Sequence, residues 1–204
     1  MASGALCRLL PLLAFVSCAG SIPPHEEVAR VARFVVNRCD WAMIATISTH
    51  PPVVGRPFAN VLSVSDGPRS RGSGIPYLYL TPLDISVQDV KINPEISLAM
   101  TLAETDFCRR NGFDAQSPLC CRVILCGTIM MVNKTEVDIA KKALFERHPE
   151  MASWPRDHGW YFAKLNITDI WVLDYFGGLK TVTPEEYYKV KPEYAKNVTD
   201  EWKS

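Results

Sequence analysis

The chain has 204 residues, 22% of them charged, and a formal net charge of +0. This length suits one globular domain with a sizeable core. Because nucleic-acid binding depends on neutralising phosphates with clustered Lys and Arg, the balanced charge argues against direct contact with DNA or RNA.

The N-terminal residues have the pattern of a secretory signal peptide. Arg8 precedes an apolar run, and small residues follow that run as far as Gly20, which is the order of regions that such peptides share. We expect cleavage near Ala19 or Gly20. Residues 1–19 are therefore predicted to be the signal peptide, and residues 20–204 a single domain with a polar C-terminal tail. Beyond the leader, the sequence has no apolar run long enough to predict a transmembrane helix.

The spacing of apolar residues, glycines and prolines divides the rest of the chain into short elements. In chain order we predict a helix over 26–37, strands over 41–49 and 57–64, a surface loop over 66–74, a strand over 77–81, a short helix over 84–92, a strand over 96–102, a long loop over 104–118, a strand over 122–132, a helix over 136–148, a strand over 160–176 and a helix that begins at 183–184. So few short helices cannot alternate with the strands as βαβ units. The expected fold is mainly β with appended helices, an antiparallel barrel of the α+β class.

The segment 160–176 has the clearest pattern in the chain. Apolar residues from Tyr161 to Ile167 alternate with polar ones from Lys164 to Thr168, which is typical of a half-buried strand. The run Ile170-Trp171-Val172-Leu173 does not alternate, so we expect it to be covered on both faces or to meet a helix. The pair Gly177-Gly178 is expected to end the strand.

Two of the predicted loops carry specific expectations. Loop 66–74 is expected at the surface. Loop 104–118 is longer than most connections, so we expect an ordered excursion that covers a groove or packs on a partner subunit. Gly127, within the strand 122–132, is expected to mark a bulge or a close backbone contact.

Three Asn-x-Thr acceptors for N-glycosylation occur in the sequence, at Asn133, Asn166 and Asn197. A glycan needs open solvent around its asparagine. Asn166 belongs to the polar series of the strand 160–176, and Asn133 falls at a strand-to-helix turn, so both positions suit a glycan. Together with the signal peptide, the acceptors predict a secreted glycoprotein.

The sequence has 7 cysteines, of which Cys7 and Cys18 leave with the signal peptide. The cysteines that remain are odd in number: Cys39, Cys108, Cys120, Cys121 and Cys126. In an oxidising compartment Cys108 and Cys120 could close the loop between them. Cys126 lies in an apolar strand and is expected to be a small buried thiol, whereas Cys39 and Cys121 are compatible with either state. A zinc site is the alternative, but the sequence has no CxxC pair or histidine cluster that supports it, so we expect no metal.

Blocks of sequence, in order along nearly all of the mature chain, resemble one known family. They are RVARF at 30–34, ATIST at 45–49, GRPFA at 55–59, LSVSDGP at 62–68, DAQSPLC at 114–120, HPEM at 148–151, LNIT at 165–168 and WVLDYFGG at 171–178. These blocks resemble the CREG family of secreted glycoproteins, the cellular repressors of adenoviral early-gene-stimulated genes.

The resemblance implies several further properties. The fold would be similar to the FMN-binding split β-barrel of the pyridoxamine-phosphate (PNP) oxidases, usually as a homodimer that buries a large shared face. Members of the family reside in the extracellular space and in the endosome–lysosome system. They are described as restraining growth, promoting differentiation and binding the cation-independent mannose-6-phosphate receptor through their glycans. The family carries glycans at positions that match Asn133, Asn166 and Asn197.

The same resemblance directs attention to the residues that could hold flavin mononucleotide (FMN). Split-barrel oxidases hold the flavin phosphate with Arg or Lys, because a doubly charged anion requires cationic or charge-assisted donors. The candidates in this chain are Arg56, with Ser63 and Ser65 further along.

A second position weighs against flavin. In flavin binders of this fold a Lys or Arg usually stands seven residues before an Asn-Pro pair, and the matching position before Asn93-Pro94 is Ser86. The carboxylates of Asp84 and Asp89 nearby would repel a phosphate. We therefore expect no cofactor.

Other candidates for chemistry are few. No histidine pairs with a recognisable nucleophile, so solvated turn positions are expected for His25, His50, His148 and His158. Trp154, Trp160 and Trp171 are expected in the core or at a dimer contact. The sequence thus predicts a non-catalytic secreted or lysosomal glycoprotein that acts through receptors.

Two alternatives remain. The first is an FMN-dependent oxidoreductase that retains the split-barrel flavin pocket. The second is a transcriptional corepressor, which the family name suggests, although a chain with a signal peptide is directed away from promoters.

Overall fold

The computed structural model describes residues 22–190. The elements in chain order are α1 (Val28–Arg38), β1 (Trp41–Ile47), β2 (Pro57–Ser63), β3 (Tyr77–Leu80), α2 (Ile85–Ile92), β4 (Glu95–Thr101), α3 (Phe107–Arg110), β5 (Arg122–Met131), α4 (Val137–Arg147), β6 (Tyr161–Leu173), β7 (Lys180–Val182) and α5 (Pro184–Lys189), with short 3₁₀ turns at Leu102–Glu104, Pro149–Ser153 and Arg156–His158. The predicted signal peptide, the acceptor Asn197 and the polar tail lie outside the described residues.

The strands form one antiparallel sheet that closes into a barrel. Neighbouring strands follow the order β2-β1-β4-β5-β6-β3, and β7 pairs with the C-terminal half of β6. Beyond β2 the chain reaches Ser65, whose N–H donates to the Tyr77 carbonyl at 3.2 Å, while the Tyr77 N–H donates to the Ser65 carbonyl at 2.9 Å. This bridge joins the two ends of the sheet. The predicted antiparallel barrel with appended helices is confirmed.

Helix α1 is more deeply buried than its amphipathic pattern indicates. It contacts β4, β5 and β6, and every residue from Val31 to Arg38 is buried. A polar residue can be buried there because backbone carbonyls accept its hydrogen bonds. The Arg33 guanidinium, for example, donates to the Gly72 carbonyl at 2.8 Å and to the Tyr187 carbonyl at 3.2 Å. Helix α1 therefore connects the barrel core to loop 66–74 and to α5.

Helix α4 packs on the outer surface of the barrel, across β3 and β6. Ala140 and Leu144 form a second, smaller apolar cluster with Tyr77 of β3. At the start of the helix, the Glu136 carboxylate accepts hydrogen bonds from Lys164 Nζ at 2.6 Å and from the Tyr77 hydroxyl at 3.0 Å. These contacts fix α4 against one half of β6.

The predicted alternation of the first half of β6 is confirmed. Ala163, Leu165 and Ile167 are buried, whereas Asn166 and Thr168 are exposed. For the second half of the strand two alternatives were predicted, cover on both faces or contact with a helix. The first is wrong, because alternation continues and one face is open. The second agrees with the structure, since α1 and α5 contact β6.

In that second half, Ile170 and Val172 are 1% and 0% exposed, while Trp171 between them is 40% exposed. Only one face of β6 lines the barrel, and the side chain of Trp171 belongs to the other. Gly177 and Gly178 lie in the turn after the strand. The turn leads to β7, which was not predicted.

Gly127 lies at an irregularity in the sheet, as expected. The register of β5 against β6 shifts between Cys126 and Gly127. A Cβ atom at Gly127 would lie 2.0 Å from the carbonyl oxygen of Asn166. Only glycine permits the two strands to approach so closely.

Loop 66–74 reaches the surface at Ser70, Arg71 and Ser73, as its glycines and Pro68 predict, but it is anchored by a buried carboxylate. Asp66 is 1% exposed, and its carboxylate binds the Arg147 guanidinium at 2.6 Å and the Asn37 amide at 2.9 Å. The Gly74 N–H donates to the same carboxylate at 3.1 Å. The loop is thereby held between the C-terminal ends of α1 and α4.

Candidate functional site

The three residues proposed to contact a flavin phosphate do not meet at one place. Arg56 precedes β2 and is exposed, while Ser63 is the last residue of that strand. At about 3.3 Å per residue, the two lie roughly 23 Å apart along the strand. A phosphate at one end of β2 would be out of reach of the other end.

Ser65 is used by the barrel itself. The residue is 0% exposed, and its hydroxyl donates to the Ala143 carbonyl of α4 at 2.6 Å while accepting from the Gly67 N–H at 3.1 Å. Its backbone closes the barrel on Tyr77. Both polar ends of Ser65 therefore have structural partners.

The start of α2 is the place where the resemblance to flavin binders predicts a phosphate contact. In this chain the Ser86 hydroxyl is buried and accepts from the Asn60 side-chain amide at 3.1 Å. The Asp84 carboxylate caps the helix by accepting from the N–H groups of Ser86 at 2.8 Å and Val87 at 3.2 Å. A helix N-terminus binds phosphate through such free N–H groups. Here a carboxylate already occupies them, so the residues present do not fit a flavin phosphate.

Asp89, on the inner side of α2, is likewise satisfied by the protein. Its carboxylate accepts from the Thr46 hydroxyl at 2.9 Å, the Thr49 N–H at 2.7 Å and the Thr49 hydroxyl at 2.8 Å. Burial alone would raise the pKa of the Asp89 carboxyl, but these hydrogen bonds outweigh burial and hold the pKa below its usual value. His50 Nε2 lies 3.6 Å from the same carboxylate.

Two of the histidines are therefore not the solvated turn residues that were expected. His50 faces the buried Asp89, and His148 Nε2 lies 3.0 Å from the Val64 carbonyl oxygen. Neither contact involves a nucleophile. The described part of the chain contains no group of three or more His, Cys, Asp or Glu residues that could hold a metal ion.

Both described glycan acceptors are exposed. Asn133 uses its side-chain oxygen to accept from the Thr135 hydroxyl at 2.7 Å and from the Glu136 N–H at 3.0 Å. This arrangement shapes the turn before α4 and leaves the amide nitrogen, the atom that carries a glycan, outside those two hydrogen bonds. Asn166 is exposed on the outer face of β6, opposite Thr128 of β5.

The cysteines divide into one disulfide and three free thiols in the described chain. Cys108 and Cys120 are joined, with an S–S distance of 2.01 Å. Cys39 and Cys121 are free and buried. Cys126 was expected to be buried, but it is partly exposed because its side chain lies on the outer face of β5.

A row of apolar side chains crosses the outer face of the sheet, and sequence reasoning did not identify it. Successive ladder partners across β2, β1, β4, β5 and β6 are Val61, Met43, Ala99, Ile124 and Trp171. Val61 is 57% exposed, and Met43 and Trp171 are each 40% exposed. With strands about 4.8 Å apart, this sheet-face row is roughly 19 Å long. Contiguous exposed apolar surface is typical of an interaction site.

The closed antiparallel sheet and its outer helices define this protein as a split β-barrel of the PNP-oxidase type. A solved heme binding protein from Mycobacterium smegmatis has this fold, with a TM-score of 0.64 and 16% identity over 80% of this chain and 61% of that one. So does a protein of the pyridoxinephosphate oxidase family from Clostridium acetobutylicum, with a TM-score of 0.54 and 13% identity over 80% of this chain and 99% of that one. At these identities the likeness establishes the fold alone.

The sequence comparisons are more specific. The family model described as CREG, beta-barrel matches residues 23–189. Protein CREG1 of Gallus gallus is 57% identical over 190 residues, which cover 89% of this chain and 99% of that protein. The chain belongs to the CREG family, as the sequence blocks indicated. No helix among residues 22–190 is long and apolar enough to span a membrane.

Proposed function

We propose that this chain is a secreted and lysosomal glycoprotein that restrains growth and promotes differentiation by binding receptors, without catalysis. The observation that carries this proposal is the capped start of α2. The Asp84 carboxylate accepts from the helix N–H groups, and the Asn60 amide donates to the Ser86 hydroxyl. A flavin enzyme of this fold would hold a phosphate at this position. A phosphate would meet a carboxylate there, and like charges repel.

The partner that best suits the sheet-face row is a second copy of this chain. A twofold dimer requires a surface that is complementary to itself, and an exposed apolar row can pair with its own copy. Ala99 and Ile124 in the centre of the row are already half-buried, while Val61 and Trp171 near its ends are exposed. Pairing two such faces would remove these apolar side chains from water.

The position of Asn166 sets a limit to that dimer face. Its ladder partner Thr128 lies four residues beyond Ile124 on β5, or about 13 Å away from the row. A glycan on Asn166 needs open solvent, so the contact between subunits would end before this point. The dimer and the glycan can therefore share one side of the barrel.

For the receptor we propose the cation-independent mannose-6-phosphate receptor, reached through glycans on Asn133, Asn166 and Asn197. The exposure of the first two acceptors supports this assignment. A receptor that recognises phosphorylated sugar binds the glycan and does not require a catalytic pocket in the protein. Two observations thus support the proposal: the acceptors are exposed, and the polar residues at the start of α2 bind one another.

The test uses protein secreted by mammalian cells and receptor fixed to a surface. Wild-type protein is expected to bind, and free mannose 6-phosphate should displace it. A triple variant, Asn133→Gln with Asn166→Gln and Asn197→Gln, should be secreted but should fail to bind. Binding that persists in the triple variant, or that mannose 6-phosphate does not displace, would contradict the receptor assignment.

The corepressor alternative is tested by imaging the full-length chain in the same cells. Signal in the secretory pathway and lysosomes is expected, with digestion by glycosidase lowering the apparent mass. A nuclear, glycosidase-resistant form with an intact N-terminus would favour the corepressor instead.

A further inference from the structure

Glu104 lies where the chain leaves β4 and enters the loop closed by the Cys108–Cys120 disulfide. Oε1 of its carboxyl group accepts from the Thr101 N–H at 3.1 Å, and the Thr101 hydroxyl accepts from the Ala103 N–H at 3.2 Å. This capping box starts the 3₁₀ turn Leu102–Glu104. The other oxygen, Oε2, is buried and has no hydrogen-bond partner of normal geometry in the described part of the protein.

The junction of α1 and β1 supplies groups that act on the pKa of this carboxyl. They are the Cys39 thiol, the Asp40 carboxylate and the Trp41 N–H. Cys39 is 0% exposed, and its Sγ donates to the Thr101 carbonyl at 3.4 Å. Because a thiol has one proton, this hydrogen bond competes with donation from Cys39 to Glu104, and Asp40 adds a negative charge.

The cations nearby pair with other carboxylates. Arg69 Nη2 lies 2.6 Å from the Asp40 carboxylate, and Arg147 Nη2 lies 2.6 Å from that of Asp66, with Nη1 4.0 Å from Asp40. Neither forms an ion pair with Glu104. Among residues 22–190 no Lys, Arg or His forms an ion pair with this carboxyl. The Thr101 N–H, the Cys39 thiol and the Trp41 N–H are the groups that favour its charged form.

These surroundings alter the proton affinity of both buried groups. Burial is the main cause that raises the pKa of the Glu104 carboxyl to about 7; the Asp40 charge acts in the same direction, and the Thr101 N–H and the Cys39 thiol oppose it. Burial and the Glu104 charge raise the pKa of the Cys39 thiol well above its usual value. Near neutral pH the carboxyl is therefore the group that titrates, and the thiol stays protonated.

We propose that Glu104 is a pH-sensitive contact, which takes up a proton in an acidic compartment and then holds the disulfide-closed loop more firmly against the end of α1. The charged form leaves a desolvated oxygen without adequate compensation, and the protonated form removes that cost. This inference goes beyond receptor binding and depends on neither the glycans nor the dimer.

The direction of the effect follows from linkage. The native protein binds this proton more tightly than the unfolded chain, in which the glutamate has its ordinary pKa of 4.5. Stability contributed by Glu104 is therefore lowest above about pH 7, rises as the pH falls, and is fully present below about 4.5. An acidic compartment would strengthen the fold at this contact.

The experiment compares wild-type protein with Glu104→Gln by thermal unfolding between about pH 7 and about pH 5. Glutamine preserves the capping box, because it also serves at that position, but it does not titrate. Relative to Glu104→Gln, the melting temperature of the wild type should rise by about 4–8 °C on acidification. Glu95→Gln, an exposed substitution on β4, is the matched control and should keep the wild-type response.

Carbon-13 NMR of labelled glutamate in the wild-type protein gives a second readout that needs no variant to fold. The Glu104 carboxyl resonance, assigned through its own backbone, should titrate near pH 7. A resonance that titrates near 4.5, or an equal rise in melting temperature for wild type and Glu104→Gln, would overturn the proposal. Neither result bears on whether the receptor is bound.

Discussion

Asp66 and Arg147 form a buried ion pair, with Oδ1 and Nη2 2.6 Å apart and side chains that are 0% and 4% exposed. Arg147 also donates to the Gly67 carbonyl at 2.8 Å and to the Cys39 carbonyl at 3.2 Å. The last turn of α4, loop 66–74 and the end of α1 therefore meet at one guanidinium. This contact places α4 on the barrel at the side where Ser65 closes it.

Removing the guanidinium should destabilise the fold strongly. Arg147→Met leaves the Asp66 carboxylate buried without its cation, and such a loss typically costs about 3–5 kcal/mol. Urea denaturation measures the change. Arg109→Met is the control, since Arg109 is 80% exposed where it pairs with Asp106, and it should cost less than about 1 kcal/mol. Equal costs for the two variants would show that the Asp66 contact is not a principal support of the fold.

The bulge in β5 predicts an unusually sensitive glycine. In Gly127→Ala the new methyl group would lie 2.0 Å from the Asn166 carbonyl oxygen, so the strands must separate, at a cost of about 3 kcal/mol. Gly112→Ala has open space around its Cβ and meets only the strain of φ +68°, which is worth about 1 kcal/mol. The two free energies of unfolding should differ accordingly. A Gly127→Ala protein as stable as Gly112→Ala would mean that β5 and β6 are not in the close register described.

The sheet-face row predicts a dimer that one charge can disrupt. Met43→Glu places a carboxylate within the proposed contact, where its desolvation is uncompensated. Light scattering on the eluted protein should report a dimer for the wild type and a monomer for the variant. Ile139→Glu is a matched control, because Ile139 is a 58% exposed side chain on α4 and away from the row. A wild-type monomer, or dimers of both variants, would count against this face.

Asp89 should contribute to loss of stability in acid. Its pKa is lower in the folded protein than the ordinary value of 3.8, so its contribution is present above that value and is lost as the pH falls through the folded pKa. Asp89→Asn removes this dependence and mispairs the Thr49 N–H and hydroxyl donors, at a cost of about 1–3 kcal/mol at neutral pH. Urea denaturation at several acidic pH values checks both effects. If the free energy of unfolding falls with acidic pH equally in Asp89→Asn and wild type, other carboxylates cause the loss of stability.

Much of the barrel was predictable because alternation has a direct physical cause. A strand on a barrel wall faces the core with every second residue, and β1, β4, β5 and β6 were placed to within two or three residues by this pattern. The three-residue β7 is too short to show a period, so it was missed. The open face at Trp171 was also missed, because an apolar residue that points outward has the same sequence signature as one that points inward.

The environment of loop 66–74 depends on residues far away in the sequence. Its glycines and Pro68 predict a turn correctly, but the partner of Asp66 is 81 positions along the chain. A local pattern cannot indicate that Arg147 will meet it. The same holds for Ser65, whose hydroxyl looked available for a ligand until its acceptor, the Ala143 carbonyl, was placed.

For the candidate flavin residues, part of the answer was already visible in the sequence. The absence of a cation at Ser86 was visible in the sequence, and the structure adds what stands in its place, a carboxylate from Asp84 and an amide from Asn60. Arg56 remained a candidate only because the sequence does not reveal distances. Its separation from Ser63 along β2 removes the reason for grouping the two.

The central claim is that this barrel acts without a flavin coenzyme, and titration calorimetry with FMN tests it most directly. Protein secreted by mammalian cells should be colourless, and addition of FMN should give no heat of binding. Flavin that copurifies in stoichiometric amount, or saturable FMN binding that Arg56→Ala weakens, would contradict the account.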